Sequence, residues 1–509
     1  MNEAQAYADL IRRVKECRLL SSCAEMLAWD ERTYMPHNGS AHRAEQMALL
    51  ARLAHEMITA PEIGQLLSQA GGSEKTNQDT PQVANVREIR RSYERLVKLP
   101  KELVEEIARV TTRAQQVWQE ARAADDFAAF QPWLEKIVKL KRQEADAVGY
   151  TESPYDALLD EYEPGATTSQ ITRVFADLRA ELAPLIHSIM GSGKQAPREI
   201  LEREYPAEQQ QAFGQAVAQK IGFDFDAGRL DVTTHPFCSG MGPGDCRITT
   251  RYNPRHFNDA FFGILHEAGH GIYEQGLDPE SYGTPIGSAA SLGIHESQSR
   301  LWENQVGRGR PFWDHFFEHA RQTFPAALGN AGLDDFYFAI NDSRPSFIRV
   351  EADEATYNLH IILRFELEQA LVSGDLKPAD VPGAWNEKFQ KSFQLVPPTN
   401  KLGCLQDIHW SMGGLGYFPT YTLGNLYAAQ FMEQARQDLA DLDEDFRRGE
   451  FGRLKSWLNE KIHCQGQRYR APDLCKKITG RPLTHKPLMT YLRNKYTPLY
   501  DLHSSSPNG

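Results

Sequence analysis

Apolar residues recur at intervals of three and four along most of this 509-residue chain. Leu103, Ile107 and Val110 are one example, and the spacing is typical of amphipathic helices. Residues 229–253 are the exception, because apolar and polar residues alternate on either side of the glycine-rich stretch 239–244. The sequence therefore predicts a mainly α protein with one small antiparallel sheet, whose strands are joined by that glycine-rich loop.

Charge and cysteine usage restrict the class of protein. Lys and Arg number 56 against 68 Asp and Glu, so the net charge is -12, whereas nucleic-acid binders usually show a basic excess. The seven cysteines are scattered without a CxxC pair, which favours reduced thiols over a disulfide frame. The N-terminal stretch lacks the apolar core of a secretory signal, and no apolar run approaches the roughly 20 residues that span a bilayer. We expect a cytoplasmic protein that binds neither nucleic acid nor membrane.

An HExxH motif lies within residues 256–277. On a helix, His266 and His270 would project from one face, where two imidazoles can share one tetrahedral Zn²⁺. Glu267 follows the first histidine and can act as a general base toward water that the metal activates. An HExxH also arises by chance in roughly a few chains of this length per hundred, so the motif becomes specific only with a third ligand.

The motif helix also has predicted ends and a predicted contact. Asn258 is a candidate N-cap, and Gly276 is a candidate for the residue that follows the last turn. Gly269 lies inside the motif and weakens a helix intrinsically. Gly263 and Gly271 weaken the same helix, and we therefore expect all three glycines to allow the close approach of another backbone or of substrate.

The third ligand decides the subclass of zinc site. Tyr273 and Gly276 stand where the metzincin pattern requires Gly and His, which excludes that subclass. A later helix that returns to the motif can instead offer Glu296, giving a His₂Glu site with one open position. Arg300, one turn further on, can orient that carboxylate. His295 is the competing ligand, and the simpler interpretation of Glu296 is a solvated surface acid.

Taken together, these motifs and several others resemble the thermostable (Taq-type) metallocarboxypeptidase family. In chain order they are Trp29-Asp30-Glu31-Arg32-Thr33-Tyr34-Met35-Pro36, His235-Pro236-Phe237, Asp245-Cys246-Arg247-Ile248-Thr249, His266-Glu267-Ala268-Gly269-His270, His295-Glu296-Ser297-Gln298, Ile348-Arg349-Val350-Glu351-Ala352-Asp353 and Gly403-Cys404-Leu405-Gln406-Asp407-Ile408-His409-Trp410. The resemblance spans essentially the whole chain, and the ordered set is far more specific than HExxH alone.

The resemblance implies a single helical catalytic domain over 1–509, with a deep groove that carries one zinc ion per subunit. Residues 1–165 are a candidate helical lid, and 225–425 are the expected core of the zinc site. Members of the family are similar in architecture to neurolysin and angiotensin-converting enzyme and are typically homodimers. The resemblance implies His266, His270 and Glu296 as the ligands and Glu267 as the base, and Co²⁺ or Mn²⁺ can substitute for the metal.

A carboxypeptidase also has to hold the terminal carboxylate of its substrate, and a planar guanidinium does so best through paired charge-assisted hydrogen bonds. Arg349 is the first candidate, because its motif resembles a signature of the family. Arg247 is the second candidate, with a structural pairing to Asp245 as the alternative. The simpler interpretation of either arginine is a buried ion pair.

Three further residues are candidates for contacts with the peptide or the oxyanion. His409 resembles a groove residue of the family, and Tyr417 and Tyr421 are candidate hydroxyl donors, as in related helical zinc peptidases. The simpler interpretation of these three is a core side chain with a satisfied polar atom. His235 either lines the groove or braces the sheet.

The resulting functional hypothesis is a zinc carboxypeptidase of broad specificity that acts on peptides with a free C-terminus. One alternative is a zinc oligopeptidase that cuts internal bonds of short peptides. Another is a helical binding protein with an inert metal. Amidation of the substrate C-terminus should abolish cleavage by a carboxypeptidase but not by an oligopeptidase. Glu267→Gln should leave the function of a binding protein unchanged.

Overall fold

Helices account for most of the chain in the computed structural model, which describes residues 2–71 and 80–502. The α-helices are α1 (Glu3–Thr33), α2 (Ser40–Ile58), α3 (Pro61–Ala70), α4 (Pro81–Lys98), α5 (Lys101–Ala124), α6 (Phe127–Val148), α7 (Pro154–Leu159), α8 (Thr168–Gly191), α9 (Ala207–Ile221), α10 (Phe257–Gly276), α11 (Leu292–Arg300), α12 (Arg310–Thr323), α13 (Pro325–Leu328), α14 (Leu333–Ile340), α15 (Tyr357–Ser373), α16 (Val381–Phe393), α17 (Pro419–Asp438), α18 (Leu442–Arg447), α19 (Gly452–Lys461), α20 (Ala471–Thr479) and α21 (Lys486–Leu499). Short 3₁₀ segments lie at His37–Gly39, Arg198–Ile200, Pro279–Ser281, Pro285–Gly287, Arg349–Glu351, Pro378–Asp380 and His463–Arg468, and Leu301–Val306 is π-helical. The prediction of a mainly α fold is confirmed.

The small sheet contains strands β1 (Gly228–Val232), β2 (Cys238–Gly242) and β3 (Asp245–Thr250) in the order β1-β3-β2. Strand β2 pairs with β3 in the antiparallel direction, whereas β1 pairs with β3 in parallel. The prediction of an antiparallel sheet was therefore wrong for β1. Most of the glycine-rich stretch that was predicted to be a loop is strand β2. This strand forms a hairpin with β3, so β1 pairs with the other edge of β3. Glycine has little strand propensity, which explains why the sequence concealed β2.

The described residues form two compact units, each assembled from segments that are distant in the sequence. One unit comprises Met1–Val97, Ala196–Ile340 and Phe431–Arg481, and the other comprises Lys98–Gln195, Asn341–Gln430 and Pro482–Gly509. We call them the sheet unit, which contains β1 to β3, and the second unit. Neither coincides with the segments 1–165 or 225–425, and the single catalytic domain with an N-terminal lid stays a prediction.

Within the sheet unit, the end of α1 packs on the sheet through Trp29. The guanidinium of Arg247 lies 4.2 Å from the centroid of the Trp29 ring, and that of Arg229 lies 5.2 Å from it. Close by, the Tyr34 hydroxyl donates to Asp231 over 2.5 Å. Cation–π contacts of this kind are stabilising when the ring is shielded from water, and Trp29 is buried. The N-terminal motif therefore fastens α1 to β1 and β3.

Helix α10, which carries the HExxH motif, is held by an aromatic cluster at its first turns. The Phe261 ring lies 5.0 Å from Phe257, 5.4 Å from Phe213 on α9 and 5.2 Å from Trp313 on α12. Burial of these rings anchors the motif helix on two neighbouring helices.

The ends of α10 differ slightly from their predicted positions. The N-cap is His256, whose Nδ1 lies 2.8 Å from the Asp259 carboxylate, so the helix begins before Asn258. Gly276 is the last helical residue and Leu277 is the C-cap, so the helix continues two residues further than predicted. In the part of the chain that the structure describes, no helix combines the length and apolar character needed to cross a bilayer.

Candidate metal centre

Three side chains of the sheet unit converge on one point. His266 and His270 project from α10, and the Glu296 Oε2 on α11 lies 3.7 Å from the Nε2 of His266 and 3.5 Å from the Nε2 of His270. All three donor atoms lie within 4.8 Å of one another, and across residues 2–71 and 80–502 this is the single His, Cys, Asp and Glu group with such spacing. Donors bonded at about 2.0–2.1 Å to a tetrahedral ion are roughly 3.3 Å apart, so the donor set fits a divalent metal with one position left open.

The two helices approach each other closely because residue 269 has no side chain. A Cβ added at Gly269 would lie 2.6 Å from the carbonyl oxygen of Gln298 and 2.7 Å from the Cα of Ser299. Both atoms belong to the backbone of α11. The prediction of a close backbone approach is confirmed for Gly269, and this approach brings Glu296 within reach of the histidines. It was wrong for Gly263, where a Cβ would meet only the Thr250 hydroxyl at 3.7 Å, and Gly271 makes room for the Phe223 side chain and not for a backbone.

The carboxylate of Glu296 is oriented by the residue one turn further along α11. Arg300 Nε donates to Glu296 Oε1 over 2.7 Å, which leaves Oε2 directed at the two imidazoles. Burial by itself would raise the pKa of Glu296, but Arg300 and His266 outweigh it and hold the pKa below its ordinary range. The predicted orienting role of Arg300 agrees with this geometry, and the carboxylate is held in its charged, ligating form.

Each histidine ligand has a different neighbour. The Nδ1 of His266 lies 2.9 Å from the Oε2 of Glu303, in the π-helical segment that follows α11. The His270 ring instead stacks on His295, with centroids 4.4 Å apart and 18° between the planes. His295 Nε2 lies 2.8 Å from Glu274 Oε1, so the competing ligand is directed at this carboxylate. Burial lowers the pKa of His270 to about 3, which keeps its ring neutral as a ligand must be.

Glu303 was missed by sequence reasoning. It lies seven residues after Glu296, about two helical turns further on. In a sequence, however, an isolated glutamate at that spacing cannot be distinguished from a solvated surface acid. Arg300 Nη1 donates to Glu303 Oε2 over 3.1 Å. Burial would raise the pKa of Glu303, but Arg300 and then His266 outweigh it and lower it to about 2. The group is therefore an anion throughout the physiological range.

Glu267, the predicted base, is buried beside the ligands. Burial raises its pKa to about 7, and the charge of Glu296 acts in the same direction, while His266 opposes them. A carboxyl group with a pKa near neutrality can both accept and release a proton at ordinary pH.

Arg349 lies in the second unit within a cluster of two arginines and one carboxylate. Its Nε and Nη2 donate to Asp407 Oδ1 over 3.0 and 2.8 Å, and its Nη1 donates to the Tyr357 hydroxyl over 2.9 Å. Arg364 Nε donates to the other oxygen of Asp407 over 2.7 Å. Two guanidinium groups thus share one anion, and this buried cluster has an excess of positive charge.

The remaining candidates of the second unit lie next to this cluster. The Tyr421 hydroxyl is 3.4 Å from the Nε2 of His409, and the Tyr417 ring centroid is 5.3 Å from that of His409. The guanidinium of Arg349 lies 5.1 Å from the Tyr421 ring. Burial lowers the pKa of His409 to about 4, with Asp407 opposing, so the ring is neutral near pH 7. The structure therefore brings Arg349, His409, Tyr417 and Tyr421 together, and their roles in binding and catalysis stay predictions.

Arg247 and His235 have simpler surroundings. Arg247 donates through Nε and Nη2 to the two oxygens of Asp245, each over 2.8 Å, in the one-to-one pair that was the alternative interpretation. His235 is exposed in the segment between β1 and β2. Their predicted contacts with substrate stay predictions.

Comparison with known proteins agrees with this geometry. The family profile described as carboxypeptidase Taq (M32) metallopeptidase matches residues 9–496. Thermostable carboxypeptidase 1 of Thermus thermophilus is 46% identical over 98% of this chain and 100% of its own, and carboxypeptidase 1 of Bacillus subtilis is 39% identical over 97% and 98%. The crystal structure of the M32 carboxypeptidase from Deinococcus radiodurans superposes with a TM-score of 0.94 at 39% identity, covering 98% of this chain and 100% of that one. The chain therefore belongs to the carboxypeptidase Taq (M32) family, and it is a metallocarboxypeptidase whose family implies a divalent metal at the His₂Glu cluster.

Proposed function

We propose that this metallocarboxypeptidase uses zinc and removes single C-terminal residues from peptides with broad specificity. The observation that carries the proposal is the convergence of His266, His270 and Glu296 beside the buried Glu267. Two imidazoles and one carboxylate suit Zn²⁺ at a catalytic site, and Co²⁺ or Mn²⁺ are proposed substitutes. A divalent metal there supplies a Lewis acid that lowers the pKa of water and polarises a carbonyl.

The chain's own acid–base chemistry is assigned to Glu267. Its raised pKa, about 7, favours acceptance of a proton from the attacking water and later release of that proton to the nitrogen of the leaving amino acid. Glu296 is unsuited to this exchange, because Arg300 holds its carboxylate as an anion. The two glutamates therefore have separate tasks.

Recognition of the terminal carboxylate is assigned to Arg349. Its cluster contains two arginines for one aspartate, so a substrate carboxylate would meet uncompensated positive charge. Arg247 is the weaker candidate, since Asp245 already neutralises it one to one. We propose His409, Tyr417 and Tyr421 as donors to the peptide or the oxyanion, and His235 as a further substrate contact.

The test compares a short unblocked peptide with its C-terminal amide, with products followed by mass spectrometry. Stepwise loss of single residues from the free acid alone, abolished by a chelator and by Glu267→Gln, is the expected result. Glu280→Gln, which alters an exposed glutamate of the same unit, is the matched control and should retain activity.

Two other outcomes would contradict the proposal. Internal cleavage of both peptides would indicate a zinc oligopeptidase. Unchanged function in Glu267→Gln would indicate a binding protein with an inert metal. Metal content measured on the protein as purified distinguishes zinc from cobalt and manganese.

We also propose a homodimer, on the basis of the family resemblance. Light scattering after gel filtration should give twice the chain mass of 57.6 kDa. A mass of one chain over the working concentration range would contradict the dimer.

A cytoplasmic location is proposed from the cysteines. All seven are free thiols, including Cys238 and Cys246, whose sulfur atoms lie 3.6 Å apart in a hydrogen bond and form no disulfide. Disulfides form readily in oxidising compartments. Protein purified without reductant should therefore titrate with seven thiols, and a lower count would oppose this location.

A further inference from the structure

The two histidines of the metal centre are held in different ways. His266 has a hydrogen-bond partner at Nδ1, whereas the Nδ1 of His270 is buried with no hydrogen-bond partner in the part of the chain that the structure describes. A metal-ligating histidine usually donates its second ring N–H to an acceptor, which fixes the tautomer and the ring orientation. His266 follows this rule, and the orientation of His270 requires another cause.

For His266, the cause is Glu303. The 2.9 Å contact requires the proton on Nδ1, which leaves the lone pair of Nε2 directed at Glu296. Glu303 is itself held by Arg300 over 3.1 Å, and Arg308 Nη2 lies 3.8 Å from its other oxygen. Arg300 thus contacts both Glu296 and Glu303, and a single arginine couples a ligand to the residue that orients another ligand.

For His270, the cause is the stacked ring of His295. The two planes are nearly parallel, 4.4 Å apart between centroids. His295 is fixed by the Glu274 carboxylate over 2.8 Å, and that carboxylate packs against the backbone of β2 at Gly240, where a side chain would clash with it. The ring that supports His270 is therefore itself held by a carboxylate outside the proposed ligand set.

We propose that Glu303 and His295 are positioning residues of the metal centre: Glu303 orients His266 through a hydrogen bond, and His295 orients His270 through its ring. Neither is among the ligands. The inference rests on the proposed metal-binding function of the site but does not depend on which bond of a peptide is cut.

His295 could act by stacking on His270 or by neutralising Glu274, and these two roles predict opposite responses to matched substitutions at His295. His295→Phe retains a stacked ring and loses the bond to Glu274, whereas His295→Gln retains an amide that can bond to Glu274 and loses the ring. If stacking orients His270, the phenylalanine variant keeps the zinc affinity and the glutamine variant loses it. If His295 merely neutralises Glu274, the order is reversed.

The experiment measures the zinc Kd of the full chain by competition with a chromophoric chelator. We expect Glu303→Ala and His295→Gln to weaken zinc binding about 10- to 100-fold, Glu303→Gln to weaken it less because its carbonyl can still accept from Nδ1, and His295→Phe to stay within about threefold of wild type. Glu318→Ala, an exposed glutamate on α12, is the control and should bind as wild type does.

Thermal unfolding of the metal-free variants separates positioning from general damage. A positioning role changes the zinc Kd of variants that remain folded without metal, and the metal-free unfolding midpoint reports the separate cost of removing the Glu303 charge beside Arg300 and Arg308. Wild-type zinc affinity in Glu303→Ala would overturn the role of Glu303, and affinity retained by His295→Gln but lost by His295→Phe would overturn the role of His295. Because the readout is metal binding, failure of the proposed peptidase activity would be seen separately, as zinc-loaded wild type that cleaves no peptide.

Discussion

Gly269→Ala is the substitution that tests most directly how the metal centre is built. Alanine normally stabilises a helix relative to glycine by about 1 kcal/mol. At this position, however, the new Cβ would lie 2.6 Å from the Gln298 carbonyl oxygen and 2.7 Å from the Ser299 Cα. Ordinary contacts begin near 3.4 Å, so α11 would have to withdraw by 3.4 − 2.6 = 0.8 Å. A backbone cannot avoid the clash by rotating a side chain.

The displacement reaches the proposed ligand Glu296, because it lies two residues before Gln298 on the same short helix. Its Oε2 is 3.5 and 3.7 Å from the two imidazole nitrogens, and metal–ligand distances tolerate only about 0.2 Å. We therefore expect the zinc Kd to rise by more than about tenfold, the lower end of losses seen when ligand orientation is disturbed. Overpacking costs about 1–3 kcal/mol, which the gain in helix propensity partly offsets, so the metal-free protein should lose about 0–2 kcal/mol.

Gly263→Ala is the matched control on the same helix. Its Cβ would meet only the Thr250 hydroxyl, at 3.7 Å, which is an ordinary contact. This variant should keep the zinc affinity and unfold at the same or a slightly higher temperature. Zinc affinity by chelator competition and thermal unfolding without metal are the two assays. Wild-type affinity in Gly269→Ala would refute the argument that the approach of α11 to α10 sets the position of Glu296.

Four further predictions concern chemistry, recognition and stability. Glu267→Gln should reduce kcat by about 10²- to 10⁴-fold while zinc content stays at one per chain; loss of the metal as well would indicate a structural defect. Arg349→Lys should reduce kcat/KM for free-acid peptides by about 10- to 100-fold, as expected for loss of a charge-assisted bond, and Arg344→Lys, at an exposed arginine, should have little effect. Removal of zinc should lower the free energy of unfolding, by about 2.7 kcal/mol relative to protein with free zinc at 100 times its Kd, and an unchanged melting temperature would oppose a resident metal. Burial raises the pKa of Glu368 from 4.5 to about 7, so the stabilisation from protonating this carboxyl group is fully present below pH 4.5 and is lost as the pH rises through 7. The free energy of unfolding of wild type should therefore fall by up to about 3 kcal/mol relative to that of Glu368→Gln over this range. Parallel pH profiles of the two unfolding free energies would contradict this.

The ligands were predictable from sequence because their chemistry imposes a spacing. The four-residue interval alone places His266 and His270 on one face of a helix, whereas Glu296 was chosen over His295 by the family resemblance. The stacked position of His295 was not predictable, since it depends on Glu274 and on how closely β2 lies beside α10. Glu303 was missed for a related reason: its role arises from a hydrogen bond across two helices, which leaves no local pattern.

The position of strand β2 was likewise not predictable from the local sequence. Residues 238–242 contain two glycines and no alternating apolar face, so propensity predicted a loop. Pairing with β3 supplies the order that the local sequence lacks. The helices of this chain are specified largely by local sequence, whereas the position of β2, and with it the parallel pairing of β1, depends on tertiary contacts.

The two clusters of candidate site residues share one principle of construction, in which a buried charged group is held by a residue of opposite charge close by. Glu296 is fixed by Arg300, and Arg349 is fixed by Asp407 while Gln406 accepts a bond from its backbone N–H over 2.8 Å. Removing one partner of such a pair leaves an uncompensated buried charge and is strongly destabilising. Substitutions at Arg300 or Asp407 would therefore confound function with folding. A neutral change of geometry such as Gly269→Ala leaves the partner of every buried charge in place, and for that reason it reports on the position of the proposed ligands alone.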